Sequence, residues 1–344
     1  MGVTIKNVAK EAGVAASTVS RVISDSPQIS DATKRKVRKV MEDMGFYINQ
    51  NARNLVQQST KTIGIVMKNS ISESLNDPFF PEVLRGISAW CHKQDFSISL
   101  TTGDSNEEIF EDTVKMVQGK RVDGIIVLYS KQDDKVVPYL TECGFPFVVI
   151  GRPLTNAGEI TYIDNDNVKA ARDAAEYLID MGHERLGFIG GSLEFEVNKY
   201  RLQGFKEAVL LNNLKLAEDY IKNPKTAESV RQAVYELMDM DNPPTGLVVT
   251  DDLIALNALI VLREKNIKVP DHVSIISFNN TQLTNFTNPT LTSVDTQIFQ
   301  LGYESARCLI EEIKDPSQFK KQIIIPTIIV ERKSTLPLNS RENI

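Results

Sequence analysis

The sequence predicts a small all-α head at the N-terminus, followed by a doubly wound α/β body in two lobes. Three observations predict it: two amphipathic helical periods joined at Gly13, strand-length apolar runs alternating with helical periods from Thr62 onward, and a restart of that alternation near Leu186. At 344 residues and 42% hydrophobic content, the chain is too long for one small domain and rich enough for a large buried core. The expected division is a head over 1–48, a connecting segment over 49–61, and the body over 62–336.

In the head, Thr4 can cap a helix whose apolar face is Ile5, Val8, Ala9 and Ala12. Gly13 stops that helix, and the small residues Ala9 and Ala15 allow a second one to approach at a sharp angle. Val14, Val19 and Val22 turn the second helix inward. Ala16, Ser17, Thr18, Ser20 and Arg21 remain near its outer side, short hydroxyls and a guanidinium suited to phosphate oxygens and major-groove base edges. A third helix starts at Ser30, carries Val37, Val40, Met41 and Met44 inward, and closes at Gly45. The pattern is that of a helix-turn-helix DNA reader.

The plain alternative is a helical hairpin whose Arg21 and basic run over 34–39 form a solvated face. Charge partition argues against it. Residues 1–60 hold nine Lys/Arg against five Asp/Glu, and the rest of the chain holds 30 against 40. A basic head on an acidic body confines phosphate attraction to one end.

The body has strands near 63–67, 96–100, 124–128 and 147–150, with helices near 81–94, 107–119 and 134–143. The pattern then restarts with strands near 186–190, 246–250 and 273–278 and helices near 168–181, 199–212, 226–240 and 252–265. Two such series imply two lobes, with ligands outside the carboxyl ends of the strands. Those ends present Asn69, Thr102 to Asp104, Tyr129, Ser130, Gly151, Arg152, Gly190 to Ser192, Thr250, Asp251, Asp252, Asn279 and Asn280. No phosphate-cradling Gly-x-Gly-x-x-Gly and no P-loop occurs. Amides, carboxylates and an arginine suit a sugar instead, whose hydroxyls take planar bidentate partners and whose ring packs on aromatic faces. Phe79, Phe80, Tyr129, Phe195 and Phe278 are the aromatic candidates. Phe79 and Phe195 stand out, because both fall in loops beside polar residues.

No apolar run of about eighteen residues and no secretion signal is present, which predicts a cytoplasmic protein without a membrane partner. Cys91, Cys143 and Cys308 are isolated and odd in number, so neither a disulfide framework nor a zinc site is expected, and no other cofactor. His92, His183 and His272 sit in no catalytic signature, so no catalytic residue is assigned.

The head pattern, the segment Asn49-Gln50-Asn51-Ala52-Arg53-Asn54-Leu55-Val56 and the two-lobe body together resemble the lac repressor family over essentially the whole chain. Within it, the stretches over 77–87, 119–124 and 163–167 resemble the maltose-operon regulators of Gram-positive bacteria. The resemblance implies a periplasmic-binding-protein-like body and a hinge helix over 52–56. That hinge would insert Leu55 into the minor groove, with Ala52 packing on a partner's hinge and Arg53 and Asn49 near DNA. So short a segment cannot hold a helix alone in water. Ile48 stands where the family commonly has proline.

DNA contacts are thus expected from Thr4, Ala16, Ser17, Thr18, Ser20 and Arg21 of the head and from Asn49, Ala52, Arg53 and Leu55 of the hinge. In the body, Arg201 and Asp252 match the family's effector-contacting arginine and aspartate, and Asn279 replaces a carboxylate, compatible with a neutral sugar. With Asp77, Phe79, Tyr129, Arg152 and Phe195 they make the expected effector site. The implied protein is a homodimeric repressor of maltose or maltodextrin genes. It would bind a near-palindromic operator and be switched by maltose or a malto-oligosaccharide. A purine-responsive or global catabolite regulator, a carbohydrate-processing enzyme and an extracellular solute-binding protein are the rival readings.

Overall fold

The structure, a computed structural model, describes residues 3–46, 59–67, 75–338 and 340. The chain divides into two compact units, Met1–Lys61 and Thr62–Ile344. The hinge residues Asn49, Ala52, Arg53 and Leu55, and the strand-end Asn69, lie outside the described residues.

The first unit holds three helices: α1 (Ile5–Ala12), α2 (Ala16–Ile23) and α3 (Asp31–Asp43). Thr4 caps α1 in a reciprocal box with Asn7, and Gly13 ends it in the left-handed region at φ 63°, where a Cβ would be strained. Ser30 caps α3 by accepting the Thr33 N–H. Val8, Ala9, Ala12, Val19, Val22 and Val37 form the buried centre, and Val14, Val40, Met41 and Met44 pack around it half-buried. Alanines at the α1–α2 contact let two short helices share so small a core.

The second unit contains two six-stranded sheets. The first is built from β1 (Thr62–Val66), β2 (Ser97–Leu100), β3 (Gly124–Val127), β4 (Phe147–Ile150), β5 (Thr161–Asn165) and a strand from far downstream, β11 (Gln322–Ile325). Its order is β11-β5-β4-β3-β1-β2, all parallel. The second is built from β6 (Leu186–Ile189), β7 (Ile221–Lys222), β8 (Gly246–Val249), β9 (Ser274–Phe278), β10 (Thr292–Asp295) and β12 (Ile328–Val330). It runs β12-β10-β9-β8-β6-β7, with only β12 antiparallel. Helices α4 (Phe79–Lys93), α5 (Asn106–Gln118) and α6 (Val136–Glu142) belong to the first lobe. Helices α7 (Asn167–Asp180), α8 (Glu196–Leu211), α9 (Ala227–Met238), α10 (Asp252–Glu264) and α11 (Leu283–Phe286) belong to the second.

Helix α12 (Ile298–Lys314) breaks the serial arrangement. It follows β10 of the second lobe yet packs in the first, with Leu301, Ala306 and Leu309 sharing a core with Val83 and Ile87 of α4. Gly86 and Gly302 bring α4 and α12 close: a Cβ on either would stand 2.1 Å from a carbonyl oxygen of the other helix. The chain therefore passes between the lobes after β5, after β10 and after β11, whereas the sequence predicts two contiguous halves. The seven predicted strands are present, and β5, β7, β10, β11 and β12 come in addition.

No helix among the described residues is long and apolar enough to cross a membrane. Cys91 and Cys308 are buried, and burial pushes both thiols up to about 11.

Candidate functional site

On the head, α2 buries Val19 and Val22 and exposes Ala16, Ser17, Ser20 and Arg21, with Thr18 half-buried. Its amphipathic period therefore leaves one face of small and hydroxylated residues with a single guanidinium. The Thr4 hydroxyl is engaged with Asn7 as the cap of α1, and its backbone N–H donates to Asn7 Oδ1 at 2.9 Å.

In the body, a cleft of about 390 Å³ lies at the carboxyl ends of both sheets. Of the eight residues expected there, Asp77, Phe79, Tyr129, Arg152, Phe195, Arg201 and Asn279 line it. Asp252 does not, and its expected role requires correction. Asp252 is 1% exposed, and its carboxylate is filled by its own lobe: Oδ1 accepts the Ser277 and Ser293 hydroxyls at 2.5 and 2.9 Å, and Oδ2 accepts the Thr281 N–H and hydroxyl at 2.7 and 3.0 Å. Burial pushes its pKa up against those bonds. The neighbouring Asp251 faces the cleft instead. Two adjacent residues at the start of a helix point in different directions, and spacing alone does not tell which one turns outward.

Arg201, on α8, is 6% exposed yet lines the cleft. Its Nε donates to Asn167 Oδ1 at 2.9 Å, its Nη1 donates to the Thr250 carbonyl at 2.6 Å, and its guanidinium carbon stands 4.4 Å from the centroid of Phe278. Phe278 is thus a platform for the arginine, buried beneath it. Burial lowers the Arg201 pKa to about 10, opposed by the charges of Asp251, Asp164 and Asp252, so the group stays cationic at neutral pH.

Asn279 follows β9 in the left-handed region at φ 97°, a conformation that few non-glycine residues hold. Its Nδ2 donates to Asp251 Oδ2 at 2.9 Å while its Oδ1 accepts from the Thr296 hydroxyl at 3.3 Å. A carboxylate at 279 could only accept and would face the charge of Asp251. The amide suits this corner because it does both.

The lobes meet at one edge of the cleft through backbone. Lys131 and Phe195 form an isolated antiparallel bridge, with Gln132 N–H donating to Glu194 O and Glu196 N–H to Ser130 O, each at 3.0 Å. Phe195 belongs to the second lobe by chain order but packs against the first lobe's core beside Tyr129. The Tyr129 hydroxyl donates to Asp134 Oδ1 at 2.9 Å, and Lys131 Nζ stands 5.0 Å from the Tyr129 ring centroid.

Several lining residues escape sequence reasoning, among them Asp164, Asn167, Glu196, Asn198, Tyr200 and Asn257. Asp164 ends β5, a strand absent from the sequence-based assignment, and the strand-end rule would have named it had β5 been recognised. His183, by contrast, is buried structure: its ring nitrogens meet Thr245 Oγ1 and Leu336 O, each at 3.1 Å. No cluster of metal-ligating side chains occurs among the described residues.

Comparison with known proteins bears on both units. Residues 4–49 match the bacterial regulatory proteins of the lacI family, and residues 175–335 match the periplasmic binding protein-like domain. The transcriptional regulator MalR of Staphylococcus xylosus is 35% identical over 97% of this chain and 98% of its own length. MalR of Streptococcus pneumoniae is 37% identical over 96% and 99%. The structure of a complex between the transcriptional regulator CelR and cellobiose superposes with a TM-score of 0.75 at 30% identity, covering 96% of this chain and 99% of that one.

Proposed function

Because the chain belongs to the lacI family and is a DNA-binding transcriptional regulator, we propose that it represses genes for the use of maltose or maltodextrins, with a sugar in the interlobe cleft as its switch. The observation that carries the sugar reading is the cleft's chemistry. Arg201, Asp251 and Asn279 offer planar polar groups, and Phe79, Phe195 and Tyr129 offer apolar faces, within a volume in the ~300–1,000 Å³ range of ligand clefts. The two MalR relatives, together with the likeness to the structure of a probable maltose operon transcriptional repressor MalR at 30% identity and a TM-score of 0.75, support maltose as the sugar.

The outer face of α2 would read the major groove, with Arg21 on phosphate or a guanine edge and the hydroxyls of Ser17, Thr18 and Ser20 beside it. Two heads from a homodimer would meet a near-palindromic operator, and the hinge residues Ala52, Arg53 and Leu55 would fold together at its centre. The protein would bind sugar without transforming it.

The test is titration of maltose, maltotriose, cellobiose and glucose into the free protein and into its operator complex. Maltose or maltotriose should bind calorimetrically and change operator affinity, with no turnover. Binding of none of the four would sink the sugar reading and leave the DNA reading intact. A second reading, a β-linked disaccharide as effector, is favoured by the likeness to the CelR–cellobiose complex. Selective response to cellobiose would decide for it.

A further inference from the structure

The carboxylate of Asp164 stands at the end of β5, where the chain leaves the first lobe for α7. Its Oδ1 accepts the Asn165 N–H at 2.8 Å and Asn167 Nδ2 at 2.9 Å, and its Oδ2 accepts the Arg152 N–H at 2.9 Å. Asn167, 4% exposed at the start of α7, presents its Oδ1 to Arg201 Nε at 2.9 Å. A continuous series of hydrogen bonds therefore runs from the Arg152 backbone, just after β4, through two side chains, to a guanidinium in the cleft.

An amide has one donor end and one acceptor end. An ionised carboxylate accepts only, so with the Asn165 carbonyl, at 3.3 Å from Asn167 Nδ2, it holds the NH2 end of Asn167 and leaves the oxygen for Arg201. We propose that Asp164 is a positioning residue for Arg201: acting through the Asn167 amide, its carboxylate fixes the guanidinium in the orientation that binds the effector. This rests on the reading of the cleft as the effector site.

A proton on Asp164 loosens this arrangement. The neutral acid carries one O–H donor beside its remaining acceptor oxygen, and it has no charge with which to hold the three N–H groups aimed at it. Arg201 then keeps the Thr250 carbonyl, while the Asn167 amide that sets its tilt over Phe278 is held less firmly and the attraction between Asp164 and the guanidinium is lost. Burial pushes the Asp164 carboxyl up to about 6, resisted by the N–H groups of Asn165 and Arg152, the Arg201 charge and the Asn167 amide. The ionised form is the competent one, so effector affinity is full above that value and falls as pH drops through it. The other charged and titratable groups around the series are Glu196, Lys199 and Tyr200 on α8, Arg152 after β4, and Asp251 and Asp252 where β8 meets α10. Among them Asp164 is the carboxyl that accepts from the Asn167 amide.

The experiment is calorimetric titration of maltose into the full chain and into Asp164→Asn, from about pH 5 to about pH 8, with an unfolding curve for each. Wild-type affinity should fall about tenfold toward the acid end, and Asp164→Asn should bind about tenfold more weakly at neutral pH with a flat profile. A variant that keeps both the wild-type affinity and the wild-type slope overturns the proposal. The second measurement needs no ligand: the ¹⁵N signal of Arg201 Nε in the free wild-type protein, assigned with Arg201→Lys, should titrate with a midpoint near 6. An Nε signal that stays constant through that range overturns the proposal even if Asp164→Asn does not fold. If maltose, maltotriose and cellobiose all fail to bind the wild type, the sugar reading falls by itself, and the Nε signal still decides the series.

Discussion

Asp251 and Asp252 are neighbours with opposite surroundings, and the difference is a matter of donors. Asp251 caps α10 by accepting the Leu253 and Ile254 N–H groups at 2.8 and 3.3 Å, and its second oxygen meets Asn279 at the cleft wall. Asp252 is enclosed by Ser277, Thr281 and Ser293 on strands and loops that meet only in the folded lobe. Replacing it with alanine strands those hydroxyls and one N–H in a dry interior. Asp252→Ala should therefore lower stability by about 2–4 kcal/mol, measured by urea unfolding, with sugar affinity per folded molecule nearly unchanged. Wild-type stability with abolished sugar binding would return the residue to the cleft. The resemblance supplied Arg201 and the Thr250-Asp251-Asp252 corner, but a one-residue rotation at a helix start is set by tertiary donors that no local pattern displays.

At the scale of elements, α4 and α12 illustrate what a sequence conceals. A Cβ on Gly86 or on Gly302 would stand 2.1 Å from a carbonyl oxygen of the other helix, so the two axes approach at a distance only glycine permits. Gly302→Ala must push the helices apart along a shared core that includes Val83, Ile87 and Leu301, at a cost of about 2–3 kcal/mol. Thermal unfolding would register the loss, and a variant as stable as wild type would mean that the helices can slide without penalty. The strands β1, β3, β4, β6 and β8 are legible because all but β1 Thr62 are buried along their whole length and so read as apolar runs broken only by glycine, whereas β9 keeps the pattern through Ile275, Ile276 and Phe278 around two buried serines. Strand β5, Thr-Tyr-Ile-Asp-Asn, ends in polar residues because it delivers Asp164 to the cleft, and so it lacks the apolar run that marks the other central strands. Helix α12 and strand β11 were hidden differently: their partners lie more than a hundred residues upstream, and a pattern read along the chain carries no trace of a return crossing.

At the scale of the whole chain, a basic head over 1–60 and an acidic remainder place attraction for DNA at one end and repulsion at the other. The two units can then influence each other only if effector in the body and operator on the head each bind the states of the protein with unequal affinity. Such coupling is a single free energy shared by both ligands. Whatever factor saturating maltose applies to operator affinity, saturating operator must apply to maltose affinity, and the equality holds whether the sugar releases the protein from DNA or retains it there. Fluorescence anisotropy of a labelled operator at rising sugar, paired with calorimetry of sugar into free and operator-bound protein, gives the two factors independently. Equal factors differing from one are expected, about five- to 150-fold. A factor of one in both directions would mean that the cleft does not communicate with the head, and the series through Asp164 and Arg201 would then tune a binding site that has no bearing on transcription.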